Sequence, residues 1–342
     1  MVVSQRPACA LWCIPPVSCI LYPGEVALDF GTIKDVVLTA FREFNEDKVP
    51  RLAAAQAYYT AFALAPLLLI AVAIAGMILG EDAARGELSA QLESVLGQTG
   101  AEAVEQLLTV SRESGAGPLA AILGFVALAF GAGGFFAQLQ DSLNTIWDVA
   151  PDPDLGFWNL VRARGLSFLM VLGTGFLLLA SFLITTFLSG ASSFFSERGI
   201  DFPFFWTALN FAVSVTLTML IFALVFKVLP DVQIMWRDVW FGAFVTTALF
   251  LLGRWAISEY LARSAVRSAF GAAGSLVIIL IWVNFSAMIV FFGAEITQVY
   301  ARRFGTRIRP SRYAIDLSPQ GRANQGIPKR EFLEERRQER EA

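Results

Sequence analysis

Residues 118–130, PLAAILGFVALAF, run straight into residues 131–147, GAGGFFAQLQDSLNTIW. The first stretch carries no charge and belongs in lipid. The second places Gln138, Gln140, Asp141 and Asn144 within seven residues. A hydrocarbon core about 30 Å thick needs roughly 20 apolar residues in a helix that rises 1.5 Å per residue. The combined stretch is long enough, and a spanning segment must satisfy its backbone polar groups internally, so it is a helix. Its polar stripe then starts where the helix nears one membrane surface.

The rest of the chain has the same character. It has 342 residues, 56% hydrophobic and only 16% charged. Soluble domains carry about a quarter charged residues, so the class is integral membrane protein. Apolar runs mark six spans, at about 57–79, 118–146, 164–189, 204–229, 238–262 and 271–300. The expected fold is therefore all-α, a polytopic membrane protein of six transmembrane helices. Segment 80–117 is the one long connection. Leu88, Leu92, Val95 and Leu96 recur in it at helical spacing, as do Val104, Leu107 and Leu108, which predicts an amphipathic helical extracytoplasmic loop.

The expected organisation has four parts. Residues 1–29, which hold Cys9, Cys13 and Cys19, read as a disordered tail outside the fold. Residues 30–55 read as an interfacial amphipathic helix with Val36, Val37, Ala40, Phe41 and Phe44 on one face. Residues 56–304 form the six-helix membrane domain. Residues 305–342, rich in Pro, Gly, Arg and Glu, read as a disordered basic cytoplasmic tail.

Basic residues set the orientation. With an even number of spans, the face shared by both ends carries twenty Lys and Arg against five on the other. The positive-inside rule places both termini of this multi-pass chain in the cytoplasm.

That topology converts residue numbers into depths. Asp141 lies about 35 Å along the second span, near the cytoplasmic interface, with Gln138 on its stripe and Asn144 beside it. On the sixth span Asn284 sits near mid-depth and Glu295 near the cytoplasmic end. Lys227 ends the fourth span at that level. Asp141, Glu295 and Lys227 are thus expected to share one layer with Tyr58 and Tyr59, as an inward-facing vestibule or as helix-end charges that snorkel to the interface. Arg254 lies about 24 Å into the fifth span, a depth that demands a partner, water or an anion. Asn210 is a candidate partner.

Several function classes recede. The chain has no histidine, the commonest general base and metal ligand. The cysteine spacing fits no metal or redox pattern. No metal or cofactor is expected, and no catalytic residue. Asp152 and Asp154 in PDPD read as a turn. A net charge of -3 offers no global basic field, so nucleic acid is not an expected partner.

Several segments, in order, resemble the YihY/BrkB family of bacterial inner-membrane proteins. They are RLAAAQAYYTAFALAPLLL (51–69), LQDSLNTIW (139–147), KVLPDVQIMWRDVWFGAF (227–244), ALFLLGRW (248–255), GAAGSLVIILIWV (271–283) and GAEITQVYARRFG (293–305). The resemblance implies a six-helix bundle in the cytoplasmic (inner) membrane. It draws attention to Tyr58, Tyr59, Pro66, Asp141, Leu143, Asn144, Trp147, Pro230, Asp238, Gly242, Arg254, Gly293, Ala294 and Glu295, whereas Met288 departs from a position often polar in relatives. Members have carried ribonuclease BN and serum-resistance labels, and transport of lipid or envelope precursors has been suggested for them. The expected function is a transporter or flippase of an anionic amphiphile, with the bilayer and an anionic or lipid-linked substrate as partners. The alternative is an envelope scaffold acting through the 80–117 loop. Tyr58, Tyr59, Gln138, Asp141, Asn144, Lys227, Arg254, Asn284 and Glu295 are the residues expected to line the substrate path.

Overall fold

The computed structural model describes residues 30–79, 118–152, 203–263, 274–305, 308–312 and 314–341, with isolated positions between 93 and 105 and between 184 and 194. Helices dominate: α1 Phe30–Glu46, α2 Val49–Leu79, α3 Pro118–Ile146, α4 Pro203–Val228, α5 Trp236–Arg263 and α6 Gly274–Phe304. Short strands follow α3 (β1, Val149–Pro151) and α4 (β2, Val232–Gln233). The chain ends with β3 Arg309–Pro310, β4 Ala314–Asp316, α7 Pro319–Asn324 and α8 Arg330–Glu341.

By length and composition, Phe204–Val228, Trp236–Tyr260 and Leu276–Phe304 are long and apolar enough to cross a membrane. Helices α2 and α3 run 31 and 29 residues. The expected third span, 164–189, and most of the 80–117 loop lie outside the described residues. Large apolar side chains such as Phe204, Phe211, Phe244, Leu252 and Trp255 stand exposed on α4 and α5. A soluble helix would bury such a stripe, but lipid makes exposure favourable.

Helix α2 packs on α3 and α6, α5 packs on α4 and α6, and α1 lies along α6. The main core joins Leu143 and Ile146 of α3, Phe226 of α4, Val239 of α5 and Phe291 of α6. Between lipid-embedded helices there is little hydrophobic drive, so close packing of small residues matters most. The α5–α6 seam shows how. A side chain at Gly242 would strike Thr297, and one at Gly293 would strike Thr246. Each threonine in turn donates to its own helix: Thr246 Oγ1 to Gly242 O at 2.7 Å and Thr297 Oγ1 to Gly293 O at 2.6 Å. Two G-x-x-x-T segments thus pack antiparallel, each threonine seated on the other helix's glycine.

Two sequence expectations need correction. The 30–55 stretch is not one helix. It breaks at Asp47–Lys48, where Lys48 takes a φ of 54°, and α2 begins at Val49 with Pro50 in its first turn. Val36, Ala40 and Phe44 pack toward α6, but Val37 and Phe41 are exposed. The C-terminal segment read as disordered is ordered from residue 314 to 341. Strand β4 pairs antiparallel with β1 (Val149↔Asp316, Ala150↔Ile315, Pro151↔Ala314), and β3 pairs with β2. Ser318 caps α7 by accepting from Gly321 N–H at 3.0 Å, and Gly326 follows with a φ of 75°. The segment folds because its cations meet acids on distant turns, which composition alone does not display.

Candidate functional site

The ends of α1, α2, α3 and α6 gather at the face where the C-terminal segment docks. Glu43 lies in the last turn of α1, Asp47 occupies the α1–α2 turn, and Asp148 follows α3 in a left-handed turn with φ 55°. Arg322 of α7, 3% exposed, bridges Asp47 and Asp148. Lys329 reaches Asp148 at 2.9 Å and Glu43 at 3.3 Å. Arg302, in the last turn of α6, also bonds Asp148. Lys48 Nζ donates to Gly326 O at 2.5 Å, and Leu317 N–H donates to Asp148 O at 2.8 Å. One segment thereby ties together three helix junctions.

Charge and burial compete in this cluster. Burial pushes the Asp47 carboxyl up to about 6, although Arg322 pulls the other way. Burial also works to raise Asp148, but Lys329, Arg322 and Arg302 together hold it below the usual carboxylate value. Arg322 is disfavoured by burial, yet Asp47 and Asp148 outweigh that and raise it.

Glu295 of α6 lies behind the cluster. It is fully buried, and neither carboxyl oxygen has a hydrogen-bond partner among the described residues. Gln298, one turn on, donates through Nε2 to Ile146 O, while its Oε1 is buried without a partner.

The other sequence-expected residues disperse. Asn144 is buried and holds the α4–α5 turn: its Nδ2 donates to Asp231 Oδ2 at 2.8 Å and its Oδ1 accepts from Asp231 N–H at 2.8 Å. Gln140 Nε2 donates to the same carboxylate at 3.1 Å. Lys227 turns to its own hairpin, donating to Ile234 O and lying 5.6 Å from the Trp236 ring centroid. Lys227 and Glu295 lie at one depth, level with residues 244–245 of α5, but they share no network: Lys227 bonds its own hairpin and Glu295 has no hydrogen-bond partner among the described residues.

Asp141 is exposed on α3, and Gln138 Nε2 donates to Ser142 Oγ at 3.1 Å. Tyr58 and Tyr59 are exposed on α2, their rings 5.6 Å apart. A side chain at Gly134 would meet the Tyr59 ring at 2.6 Å, so Tyr59 lies over α3 on the Gly134–Gln138–Asp141 stripe. Tyr59, Gln138 and Asp141 thus lie along the α2–α3 contact, with Tyr58 beside Tyr59. Asn284 is half-buried on α6.

Arg254 is half-buried and follows Phe250 by one turn of α5. Phe250 packs on Phe222 of α4 at 5.4 Å and on Trp282 of α6 at 6.3 Å between ring centroids. Ala243 and Thr247 before it, and Ile257 after it, are buried. Arg254 thus lies on the stripe of α5 that faces the bundle. The Phe222–Phe250 contact places Asn210 about eight residues, or about 12 Å, further along α4 than the Arg254 level, so it is not the facing residue.

Sequence reasoning missed Glu43, Asp47, Asp148, Arg322 and Lys329. The one local signal was an acid directly after Trp147 at a span end. Among the described residues, no three Asp, Glu, His or Cys side chains converge as a metal ion would need.

Long apolar helices with outward aromatics and inward polar stripes define a polytopic α-helical membrane protein. The pattern described as Virulence factor BrkB matches residues 40–315. The chain belongs to the BrkB family. It is 26% identical over 262 residues to a UPF0761 membrane protein of Mannheimia succiniciproducens, covering 75% of this chain and 86% of that one. A UPF0761 membrane protein of Verminephrobacter eiseniae is 29% identical over 273 residues, 77% of this chain but 61% of that longer relative. One of Haemophilus influenzae is 23% identical over 276 residues, covering 78% and 95%. No solved structure matches the chain.

Proposed function

We propose that this membrane protein is a transporter or flippase of the cytoplasmic membrane, moving an anionic amphiphile such as an envelope precursor. The carrying observation is Arg254 on the inward stripe Ala243–Thr247–Phe250–Arg254–Ile257. A guanidinium about 27 Å along α5 is a functional candidate by its depth, and its positive charge suits an anionic headgroup. Exposed Tyr58, Tyr59 and Asp141, with half-buried Gln138 between the helices, supply a polar and aromatic lane nearer the basic end. On this reading both termini are cytoplasmic, and the protein is a carrier rather than an enzyme.

The test is transfer of a fluorescent phosphatidylglycerol between leaflets of proteoliposomes. A charge-assisted contact is worth about 1.5–3 kcal/mol, so Arg254→Leu should slow transfer about tenfold or more. Arg254→Lys should fall between. Equal transfer by wild type and Arg254→Leu would remove the site.

A further inference from the structure

Glu295 is a membrane-helix carboxyl with 0% exposure, and both its oxygens lack a hydrogen-bond donor among the described residues. Gln298 is 1% exposed and three residues on, so the two side chains are neighbours on one helix face. The Gln298 amide is oriented by its donation to Ile146 O, and its Oε1 is the third unpartnered acceptor within one turn. Native interiors pair their buried polar atoms, and each unpaired one calls for an explanation.

The electrostatic surroundings point the same way. The charges that bear most on Glu295 are three acids, Asp47, Glu43 and Asp148, set against Lys329. Arg322 and Arg302 are already committed to Asp47 and Asp148. Lys329 is shared between Glu43 and Asp148. Three acceptors with no donor, in a neighbourhood of acids, form a place for a cation. The absence of three converging acids among the described residues argues against a divalent ion, which wants several carboxylates. One carboxylate and one amide oxygen suit a single positive charge.

We infer that Glu295 and Gln298 Oε1 bind a small monovalent cation, a proton or Na+, beneath the docked C-terminal segment. Binding stands on this geometry alone. Its use as the coupling ion rests on the transport reading.

The test uses full-length protein in nanodiscs. Dicyclohexylcarbodiimide enters lipid and modifies protonated buried carboxyls, and peptide mass spectrometry reads the Glu295 adduct. Labelling is followed from pH 5 to 8.5 in choline chloride, then with NaCl at fixed pH. If the ion is a proton, the adduct disappears as pH rises and sodium has no effect. If it is Na+, sodium protects Glu295 and choline does not. In parallel, the thermal midpoint of wild type should shift with the same ion, because a ligand of the folded state stabilises it, and Glu295→Gln should lose that shift. No adduct at Glu295 under any condition, or an adduct indifferent to both pH and sodium, overturns the inference. A Glu295→Gln protein that keeps the wild-type ion response also overturns it. Ion-protected labelling together with normal transfer by Arg254→Leu would sink the transport site and leave this one standing.

Discussion

Replacing Arg322 by alanine should undock the C-terminal segment and leave the membrane bundle folded. Arg322 is buried between Asp47 and Asp148. Truncating one partner of a buried ion pair costs about 3–5 kcal/mol, because the remaining charge stays desolvated. Here Asp47 would be stranded, while Asp148 keeps Lys329 and Arg302. The cost has a ceiling, since the segment can lift away and let both acids reach water. Little apolar burial opposes that release, as Ile327 and Ala314 are the buried apolar side chains of residues 314–341. A loss of about 3–5 kcal/mol shifts the docking equilibrium by roughly two to three and a half powers of ten. Amide hydrogen exchange reads this directly. Leu317 N–H is bonded to Asp148 O at 2.8 Å and Ile327 N–H to Arg322 O at 3.0 Å, so both should lose protection by about that factor while α5 and α6 keep theirs. Arg322→Lys keeps the charge but loses the two-pronged fork, and should fall between. Unchanged protection at Leu317 in folded Arg322→Ala protein would refute the reasoning.

Docking should also respond to pH. Burial lifts Asp47 from 3.8 to about 6, so its contribution is fully present below about 4 and is lost as pH rises through 6. Asp148 is lowered, so its contribution holds above its ordinary value and fades only in stronger acid. Leu317 protection, corrected for intrinsic exchange, should therefore be higher at pH 5 than at pH 7.5, and the reverse order would contradict this account. Gly293→Ala should destabilise the bundle by about 1–3 kcal/mol through overpacking against Thr246, with Thr246→Ala in the same chain restoring part of the loss in a thermal melt. Asn144→Leu strips Asp231 of two bonds and should cost about 1–3 kcal/mol. An Asn144→Leu midpoint equal to wild type would show that the α4–α5 turn is held by something else.

The legible part of the fold was what lipid dictates. Apolar run length marked α2 through α6, and the depth argument singled out Arg254, whereas Glu295 stood between an inward-facing group and a helix-end charge that snorkels. The hidden part depends on pairs far apart in sequence. Arg322 meets Asp47 across 275 residues, and no periodicity links them. The same limit hid the partner of Lys227. Helix rise gives its level on α4, and its side chain bends back to Ile234 O in the next turn. Helix rise gives height, not azimuth, and polar side chains choose partners by azimuth. Composition misread the last 30 residues for a related reason, since a charged segment looks solvated unless its counter-charges are known to wait on another surface.

The reciprocal glycine–threonine contact has a mechanical consequence. Each threonine hydroxyl is tied to its own helix, leaving the side chain wedged against the opposite glycine, so sliding α5 along α6 by one residue would drive both wedges into larger neighbours. The two helices should therefore travel as one plank. Spin labels at exposed Phe244 and Phe285 should keep a constant separation through any working cycle, with the motion taken up by the remaining helices around them.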